Sequence, residues 1–302
     1  MEAILLVAST RLSWSTRRLL KAFRERGHRA KPVIVSELSV RVDESGVTIE
    51  GCGRSHCNPD AVIVRGLGAV DTPEKLLSRL TLLAAFEDMG VVVVNPWLPT
   101  LVARNKMLTA LYLRRAGVPI PPSMLAESIG PVLRASRDWG RMVVKPLTGS
   151  LGLGSFLAEN LDQAYLAASL FLATGHPVYA QRFIPKEGNA DIRVFIVGDR
   201  AVAAARRVAA PGEWRTNVAR GARTEPVELD EETRYMAVRA SKALGLYYAG
   251  VDVAIEGGTG RRYVLEVNAM PNWLGLYRAT GIDPAEEIVG LVESIVKRGG
   301  EE

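Results

Sequence analysis

Short apolar runs alternate with longer amphipathic stretches over the first 95 residues of the chain. The apolar runs are rich in β-branched residues and predict strands at 4–8, 31–35, 47–50, 61–65 and 91–94. The amphipathic stretches at 16–26 and 76–89 each end at a glycine and predict helices. Strand–helix alternation of this kind predicts a small α/β domain built on a parallel sheet.

Two prolines, Pro96 and Pro99, interrupt this pattern, and the rest of the chain divides into two further units. The first unit has predicted helices at 101–115 and 161–172, predicted strands at 142–146 and 178–184, and a Pro-rich extended entry at 118–122. The second unit has predicted strands at 191–197, 201–208, 248–255 and 262–267, and predicted helices at 231–244 and 284–298. We therefore expect a mixed α/β protein of three parts, residues 1–95, 96–184 and 185–302.

The charge of the chain restricts its partners only in part. The 302 residues carry a formal net charge of +5, and arginine supplies most of the positive charge. No basic block or recognised nucleic-acid motif accompanies it, so no nucleic-acid partner is expected, and arginines gathered in a cleft for phosphates and carboxylates explain the charge equally well.

No apolar run reaches the roughly 18–20 residues that cross a bilayer. The chain also begins without the basic segment of a signal peptide, so we expect a cytosolic protein without a membrane partner.

Two cysteines, Cys52 and Cys57, flank His56. A structural zinc site would need a fourth ligand, and the other histidines are His28 and His176. A turn between two strands is the better interpretation of this segment.

A glycine-rich loop directly follows the strand predicted at 142–146. It reads Lys145-Pro146-Leu147-Thr148-Gly149-Ser150-Leu151-Gly152-Leu153-Gly154. Glycines let backbone N–H groups approach phosphate oxygens closely. The loop is neither a Walker A motif, in which the lysine follows the glycines, nor a Rossmann fingerprint. Taken alone it is weak evidence, because most loops of this composition are ordinary turns.

Acidic and amide side chains interrupt two apolar strands near the C-terminus. Glu266 and Asn268 are two residues apart on one strand and therefore share a face, which Asp252 on the neighbouring strand can join. Burying acids together is costly unless a cation neutralises them. Oxygen ligands without His or Cys favour Mg²⁺ or Mn²⁺. The metal site is favoured over acids that face solvent, which would suit Asp252 alone.

Arginines lie between the glycine loop and the acids. They occur in Asp191-Ile192-Arg193, in Arg206-Arg207 and in Arg215-Thr216-Asn217-Val218-Ala219-Arg220-Gly221. Adjacent residues of a strand point to opposite faces, so at most one of Arg206 and Arg207 enters a cleft. Guanidinium groups suit phosphate, acyl-phosphate or carboxylate groups.

Seven segments of the chain stand in an order and at spacings that match a known family. They are Lys106, Val144-Lys145-Pro146 with its glycine loop, Gln181-Arg182-Phe183-Ile184, Asp191-Ile192-Arg193, Arg215–Gly221, Ala249-Gly250-Val251-Asp252 and Glu266-Val267-Asn268-Ala269-Met270-Pro271. Together they resemble the ATP-grasp ligases, and among these the RimK-type α-L-glutamate ligases. The match covers roughly residues 95–295. It implies an ATP-grasp fold behind an N-terminal pre-ATP-grasp domain.

The resemblance also implies a role for each matching residue. The nucleotide would be held by Lys106, Lys145, Gly149, Ser150, Gly152, Gly154, Asp191, Arg215, Thr216 and Asn217, with Arg182, Phe183 and Ile184 as the adenine hinge. Arg193 and Arg220 would face the reacting phosphate and carboxylate, and Asp252, Glu266 and Asn268 would bind Mg²⁺ or Mn²⁺.

Two regions fit the family less closely. The hinge usually has an acidic residue where Arg182 stands, so a side-chain contact to adenine is in doubt. In the N-terminal part, Ser15 and Arg65 lie in loops after predicted strands, where recognition of the acceptor substrate is expected.

The resemblance implies an ATP-dependent carboxylate–amine ligase that forms an acyl-phosphate and releases ADP. It suggests L-glutamate as the amine donor, a protein C-terminus or a coenzyme tail as the acceptor, and a homo-oligomer, either a dimer or a tetramer. A ligase that acts on the carrier protein of lysine or arginine biosynthesis is the second interpretation, because residues 217–221 resemble those relatives. A non-catalytic nucleotide-binding regulator is the third, and the intact set Lys145, Asp252, Glu266 and Asn268 argues against it.

Overall fold

The computed structural model describes residues 1–53, 57–68, 72–149, 154–217 and 221–299. The strands are β1 (Glu2–Val7), β2 (Arg29–Ile34), β3 (Ser39–Asp43), β4 (Gly46–Glu50), β5 (Ala61–Val64), β6 (Val92–Val94), β7 (Ser123–Ala126), β8 (Met142–Lys145), β9 (Phe156–Ala158), β10 (Val178–Arg182), β11 (Lys186–Val197), β12 (Arg200–Val208), β13 (Arg223–Pro226), β14 (Tyr248–Glu256) and β15 (Arg262–Asn268). The α-helices are α1 (Trp14–Glu25), α2 (Pro73–Asp88), α3 (Trp97–Arg104), α4 (Lys106–Arg115), α5 (Ile129–Trp139), α6 (Leu161–Ala173), α7 (Glu231–Ala243), α8 (Leu274–Thr280) and α9 (Ala285–Gly299).

The N-terminal strands form a four-stranded sheet in the order β2-β1-β5-β6. All three strand pairings are parallel, which confirms the predicted parallel α/β domain. The predicted strand at 47–50 lies outside this sheet, because β4 pairs with β3 in a separate antiparallel hairpin. The carboxyl ends of β1 and β5 meet at one edge of the sheet, and the segments that contain Ser15 and Arg65 leave from that edge.

Two antiparallel sheets follow. The central sheet has the order β7-β10-β8-β9, and the C-terminal sheet has the order β13-β12-β11-β14-β15. The chain passes directly from β10 into β11, so the central sheet is joined to the C-terminal sheet by a short connection at residues 183–185. Side chains from both sheets face a common cleft, which is described in the next section.

The structure differs from the predicted helices at two places. The single helix predicted at 101–115 is wrong, since Asn105 is non-helical and its side chain accepts hydrogen bonds from the amides of Met107 and Leu108, which starts a new helix. The helix α5 was not predicted because Gly130 and Pro131 are typical of a break. Proline is tolerated in the first turn of a helix, where its missing N–H would have no partner.

The N-terminal sheet is fixed to the C-terminal sheet by a shared core and a polar clamp. Leu5 and Phe23 belong to the same buried cluster as Phe195 and Trp273. Asn95, which is 1% exposed, donates its side-chain amide to the carbonyls of Tyr248 (2.9 Å) and Ala269 (2.7 Å). Its side-chain oxygen accepts from the amides of Tyr247 (2.7 Å) and Tyr248 (3.2 Å). One buried side chain thus holds the start of β14 and the chain just beyond the end of β15.

Cys52 and Cys57 form a disulfide bond, a pairing that the sequence analysis did not foresee. The two thiols are therefore consumed by a covalent link rather than held for a zinc ion. His56 lies outside the described residues.

None of the helices in the described ranges has the length and apolarity that crossing a bilayer requires.

Candidate active site

A row of alternating charges crosses three adjacent strands of the C-terminal sheet. The register places Asp191 of β11 opposite Arg207 of β12, and Arg193 of β11 opposite Asp252 of β14. Arg207 donates Nε and Nη2 to the two carboxylate oxygens of Asp191 at 2.7 and 2.8 Å, and its Nη2 also lies 2.9 Å from Oδ2 of Asp252. Arg193 donates Nη2 to the same oxygen of Asp252 at 2.9 Å.

The members of this row neutralise one another inside the protein. Asp191, Arg207 and Asp252 are only 4%, 6% and 4% exposed. Burial by itself raises the pKa of Asp252, but the charges of Arg193 and Arg207 outweigh burial and hold that pKa below its usual value. For Arg207, burial lowers the pKa, and the two carboxylates more than reverse this, so the pKa lies above its usual value. Of the adjacent pair Arg206 and Arg207, it is Arg207 that enters the cleft.

Three lysines line the same cleft as this row. Lys145, at the end of β8, donates to Oε1 of Gln181 (2.8 Å). Lys106 begins α4, and its Nζ lies 3.4 Å from the carbonyl of Gly149 at the glycine loop. Lys186 of β11 donates to the hydroxyl of Thr216 (3.0 Å). All three ammonium groups line one cavity together with Asp191, Asp252 and Glu266.

Burial is the main influence on the titration of these lysines. It lowers the pKa of Lys106 and of Lys186, and it lowers the pKa of Lys145 to about 8. The negative charge of Glu266 partly opposes this effect at Lys106 and Lys145. Three poorly hydrated ammonium groups in one cleft are suited to a polyanion, whose phosphates would restore their charged form. The sequence analysis missed Lys186, which lies between the hinge predicted at 182–184 and the strand predicted at 191–197.

The residues predicted to bind a metal lie together on β14 and β15. Glu266 is the register partner of Asp252, and Asn268 follows two residues later on the same face. In the amide orientation that satisfies both neighbours, Asn268 donates to Glu266 (3.2 Å) and accepts from Nη2 of Arg193 (3.3 Å). Glu266 lies on the wall shared by two cavities, one on each side of β15.

This donor set fits a hard divalent cation only together with phosphate oxygens. Within the described ranges, no three His, Cys, Asp or Glu side chains are arranged to hold a metal by themselves. The buried Oδ1 of Asp252 lies against Nε of Arg193 without forming an aligned hydrogen bond, so it keeps acceptor capacity. Two carboxylates and one amide oxygen therefore leave several coordination positions for other oxygen ligands, as Mg²⁺ sites at nucleotides do.

The contacts of Arg182 show where its side chain lies relative to the predicted adenine hinge. Its guanidinium lies 3.1 Å from Glu256 and donates to the hydroxyl of Tyr263 (3.2 Å). Its main-chain amide donates to the carbonyl of Pro122 (2.8 Å), and the amide of Phe183 donates to the carbonyl of Arg141 (3.0 Å). The side chain of Arg182 is therefore occupied at the β14–β15 hairpin, and a base at this hinge would use main-chain carbonyls or the amide of Ile184, a buried residue.

The loop between β12 and β13 brings further side chains to the cleft. Glu213 accepts from the guanidinium of Arg215 at 2.9 and 2.8 Å, which is the main reason that its pKa is lowered to about 2. Thr216 donates its hydroxyl to Asp191, and Asn217 lines both cavities. Trp214, which the sequence analysis did not select, also lines the cleft and packs edge-on against Phe183 at 6.2 Å between ring centroids.

Gly149 and Gly154, at the two ends of the glycine-rich segment, lie within the described residues. Gly149 and Gly154 have φ of +151° and +70°, and a Cβ at Gly154 would meet the ring of Pro146 at 3.0 Å. Glycine is therefore required at Gly154 by both its conformation and its surroundings. Ser150, Gly152 and Arg220 lie outside the described residues, and their roles stay predictions.

A second cavity of about 630 Å³ lies beyond Glu266 and Asn268. Its volume is in the usual range for small-molecule sites. Its polar wall is rich in arginine and amide groups and contains Arg193, Asn217, Arg223, Asn272 and Arg278 together with Glu266 and Asn268.

Ser15 and Arg65, predicted to contact the acceptor, are not among the residues that line these two cavities. Both side chains instead bond to the chain between Pro271 and Trp273. A direct contact with the substrate stays a prediction for both.

Comparison with known proteins agrees with the geometry of the cleft. The chain matches the RimK-like ATP-grasp domain over residues 103–292 and the RimK pre-ATP-grasp domain over residues 1–97. It is 35% identical over 282 residues to the "Probable alpha-L-glutamate ligase" of Thioalkalivibrio sulfidiphilus, covering 93% of this chain and 91% of the relative.

Solved structures show the same fold. A RimK domain ATP-grasp protein from Sphaerobacter thermophilus superposes with a TM-score of 0.75 at 24% identity, covering 96% of this chain and 99% of the other. The ATP-grasp ligase PsnB, in complex with a minimal precursor, superposes with a TM-score of 0.73 at 22% identity, covering 96% of this chain and 98% of the other. The fold and cleft therefore define an ATP-dependent ligase with an ATP-grasp fold that releases ADP. Within that class, the chain belongs to the RimK family.

The buried charge row predicts a strong effect of Arg207→Met. This change leaves the carboxylates of Asp191 and Asp252 short of a buried partner, so we expect it to lower the free energy of unfolding by about 3–5 kcal/mol. Arg206→Met, one residue away on the same strand, removes a half-exposed ion pair with Glu225 and should cost less than about 1 kcal/mol. Urea unfolding of the two variants makes the comparison, and equal losses would contradict the role of the row.

The lowered pKa of Lys145 predicts a pH dependence of nucleotide binding. In the free protein this lysine loses its proton as the pH rises through about 8, whereas bound phosphates stabilise the charged form and raise the pKa. ATP binding at pH 8 should therefore take up a proton, and the affinity should fall as the pH rises above 8. Titration calorimetry in two buffers of different ionisation enthalpy measures the uptake. Lys145→Met should abolish most of it, and equal uptake in that variant would assign the proton elsewhere.

Proposed function

We propose that this protein joins the amino group of L-glutamate to a carboxylate of an acceptor, using ATP and passing through an acyl-phosphate. The observation that carries the proposal is the position of Glu266 and Asn268. Glu266 lines both a cavity bounded by lysines and a second cavity bounded by arginines and amides, and Asn268 lines the second cavity two residues further along β15. A γ-phosphate in the first cavity and a carboxylate in the second would meet at these two residues.

The first cavity supplies the groups that an ATP molecule needs. Lys106, Lys145 and Lys186 would hold the phosphates, and Phe183 and Trp214 form an aromatic wall beside the hinge. Thr216 connects Lys186 to Asp191, so the phosphate-facing lysine is oriented by the buried charge row. Positioning and charge stabilisation supply most of the rate in phosphoryl transfer, and the protein needs no covalent nucleophile.

A divalent cation fits between the phosphates and β15. Glu266, Asn268 and the available oxygen of Asp252 would hold it, and these carboxylate and amide oxygens suit Mg²⁺ or Mn²⁺. The cation would offset the negative charge of the transferring phosphoryl group.

Arg193 is the residue best placed to bind the carboxylate of the acceptor. Its guanidinium contacts Asp252 and Asn268 and also lines the second cavity. An acceptor carboxylate held there would attack the γ-phosphorus, and ADP would leave. The amine of L-glutamate would then attack the acyl carbon, form the amide bond, and release phosphate and a proton. Arg193 would stabilise the charge on the oxygens in both steps.

The second cavity favours an acidic acceptor that is part of a longer chain. Arg223 and Arg278 lie at its exposed side, where they can receive further carboxylates. Relatives named as alpha-L-glutamate ligases support glutamate as the donor, and PsnB, solved with a precursor, supports a peptide acceptor. We therefore favour a protein C-terminus over a coenzyme tail. The dimer or tetramer suggested by the family resemblance remains an expectation.

The proposal predicts that the extended peptide forms, with one ADP for each amide bond, only when ATP and both substrates are present. The assay contains Mg²⁺-ATP, L-glutamate and a synthetic peptide that ends in glutamate, and mass spectrometry detects a peptide longer by one glutamate residue. Glu266→Gln should lower kcat by about 100-fold, because it removes a charged oxygen at the reacting centre. Glu228→Gln changes an exposed carboxylate on the same domain and should leave the rate unaltered. Extension of the peptide without ATP, or full activity of Glu266→Gln, would contradict the proposal.

A further inference from the structure

The segment that follows β15 forms part of the wall of the second cavity. Pro271 and Asn272 line that cavity, while Trp273 turns inward and is 1% exposed. The segment starts three residues after Asn268, so its position affects the space beside the reacting groups. Pro271, Asn272 and the adjacent Trp273 all bond to side chains of the N-terminal domain. Among the hydrogen bonds of the described residues, no other part of the cavity wall is held by that domain as closely.

Arg65 holds this segment from the carboxyl end of β5. Its Nη2 donates to the carbonyl of Pro271 (2.9 Å) and lies 3.3 Å from Oδ1 of Asn272, while Nη1 donates to the hydroxyl of Tyr248 (3.1 Å). The guanidinium also lies over the ring of Trp273, 4.9 Å from its centroid. Because Arg65 is 9% exposed, these partners satisfy the Nη1 and Nη2 groups of a guanidinium that water scarcely reaches, while its buried Nε has no hydrogen-bond partner within the described residues.

Ser15, in the first turn of α1, fixes the next residue. Its hydroxyl, in a side chain that is 1% exposed, accepts from the amide of Trp273 (3.0 Å). The indole Nε1 of Trp273 donates to Asp283 (2.9 Å), so both polar groups of that residue are engaged. Three consecutive residues are thus held by side chains from the first turn of α1, from the residue after β5 and from the chain before α9.

The position of Pro271 is coupled to that of Arg193. Both pack over Gly250 of β14, where an added Cβ would lie 3.0 Å from Cβ of Pro271 and 2.5 Å from Nη1 of Arg193. Because Gly250 has no side chain, Pro271 and Arg193 can lie next to each other on this face of the sheet. A shift of Pro271 would open space beside the guanidinium that faces the acceptor carboxylate.

We infer that Arg65 and Ser15 are positioning residues, which set the acceptor cavity by holding the Pro271–Trp273 segment without touching the acceptor. The inference rests on the proposed function for its kinetic consequence. It assigns to the N-terminal domain a part in acceptor recognition that leaves nucleotide binding alone, because the lysine-lined cavity lies on the other side of Glu266.

The test uses Arg65→Lys and Ser15→Ala in the full chain. Lysine keeps the charge of Arg65 but lacks the planar fork that reaches several acceptors together. Amide hydrogen exchange of peptides that cover residues 269–276 should become at least about tenfold faster in both variants, since the bonds that protect the segment are weakened. Peptides that cover β8 and β10 should exchange as in the wild type.

Kinetics supply the second readout. With the glutamate-ending peptide as the acceptor, KM for the peptide should rise about tenfold in Arg65→Lys, while KM for ATP stays within about twofold, because only the acceptor wall has moved. Arg79→Lys is the matched control. Arg79 is also a half-buried arginine of the N-terminal domain, and it donates to the carbonyl of Val35 within that domain.

The outcomes separate the inference from the proposed function. Unchanged exchange at 269–276, or an equal rise of both KM values, would overturn the positioning role. The same kinetic split in Arg79→Lys would overturn it as well, since any loss in the domain would then suffice. If the wild type fails to ligate the peptide, the proposed function fails, and the exchange measurement alone decides whether Arg65 and Ser15 hold the segment.

Discussion

The alternation of buried charges across β12, β11 and β14 is the interaction on which the rest of the site depends. Asp191, Arg207, Asp252 and Arg193 lie in a region that water scarcely enters, so each carboxylate needs its guanidinium partner. The pairs are cross-strand neighbours, and a slip of one residue in any of the three strands would send half of them to the opposite face. The register of the C-terminal sheet is therefore specified by charge as well as by its apolar core.

This row also determines what the cleft can bind. Because Asp191 and Asp252 are paired with arginines within the sheet, they offset the charge of the three lysines in the cleft only in part. The positive charge of Lys106, Lys145 and Lys186 therefore remains for a polyanion, and Glu266 marks the boundary toward the acceptor cavity. At the other end of β14 and β15, Asn95 clamps the chain to the N-terminal domain. The reacting centre is thus held on one side by charge pairing and on the other by hydrogen bonds to main-chain groups.

The sequence was sufficient for the parts of this arrangement that local rules and family resemblance determine. The parallel N-terminal sheet followed from strand–helix alternation, and the shared face of Glu266 and Asn268 followed from the period of a strand. Long-range pairing was beyond such rules. Lys186, Trp214 and the choice of Arg207 over Arg206 depend on which side chains lie across from them, and sequence spacing does not give that information. The split at Asn105 depends on capping, in which one side chain overrides the surrounding pattern, whereas α5 begins without a side-chain cap and has Gly130 and Pro131 in its first turn. The Cys52–Cys57 bond depends on how closely the two residues approach in space, with 5.4 Å between their Cα atoms, and their spacing in the sequence does not give that distance.

The central claim is that ATP activates a carboxylate of the acceptor by phosphorylating it. The most direct measurement uses an acceptor peptide whose terminal carboxylate carries heavy oxygen, and it follows the label after ligation. An acyl-phosphate intermediate predicts that one heavy oxygen atom passes from the carboxylate to inorganic phosphate for every amide bond formed. Label recovered in AMP, or phosphate that remains unlabelled while the amide forms, would contradict the account.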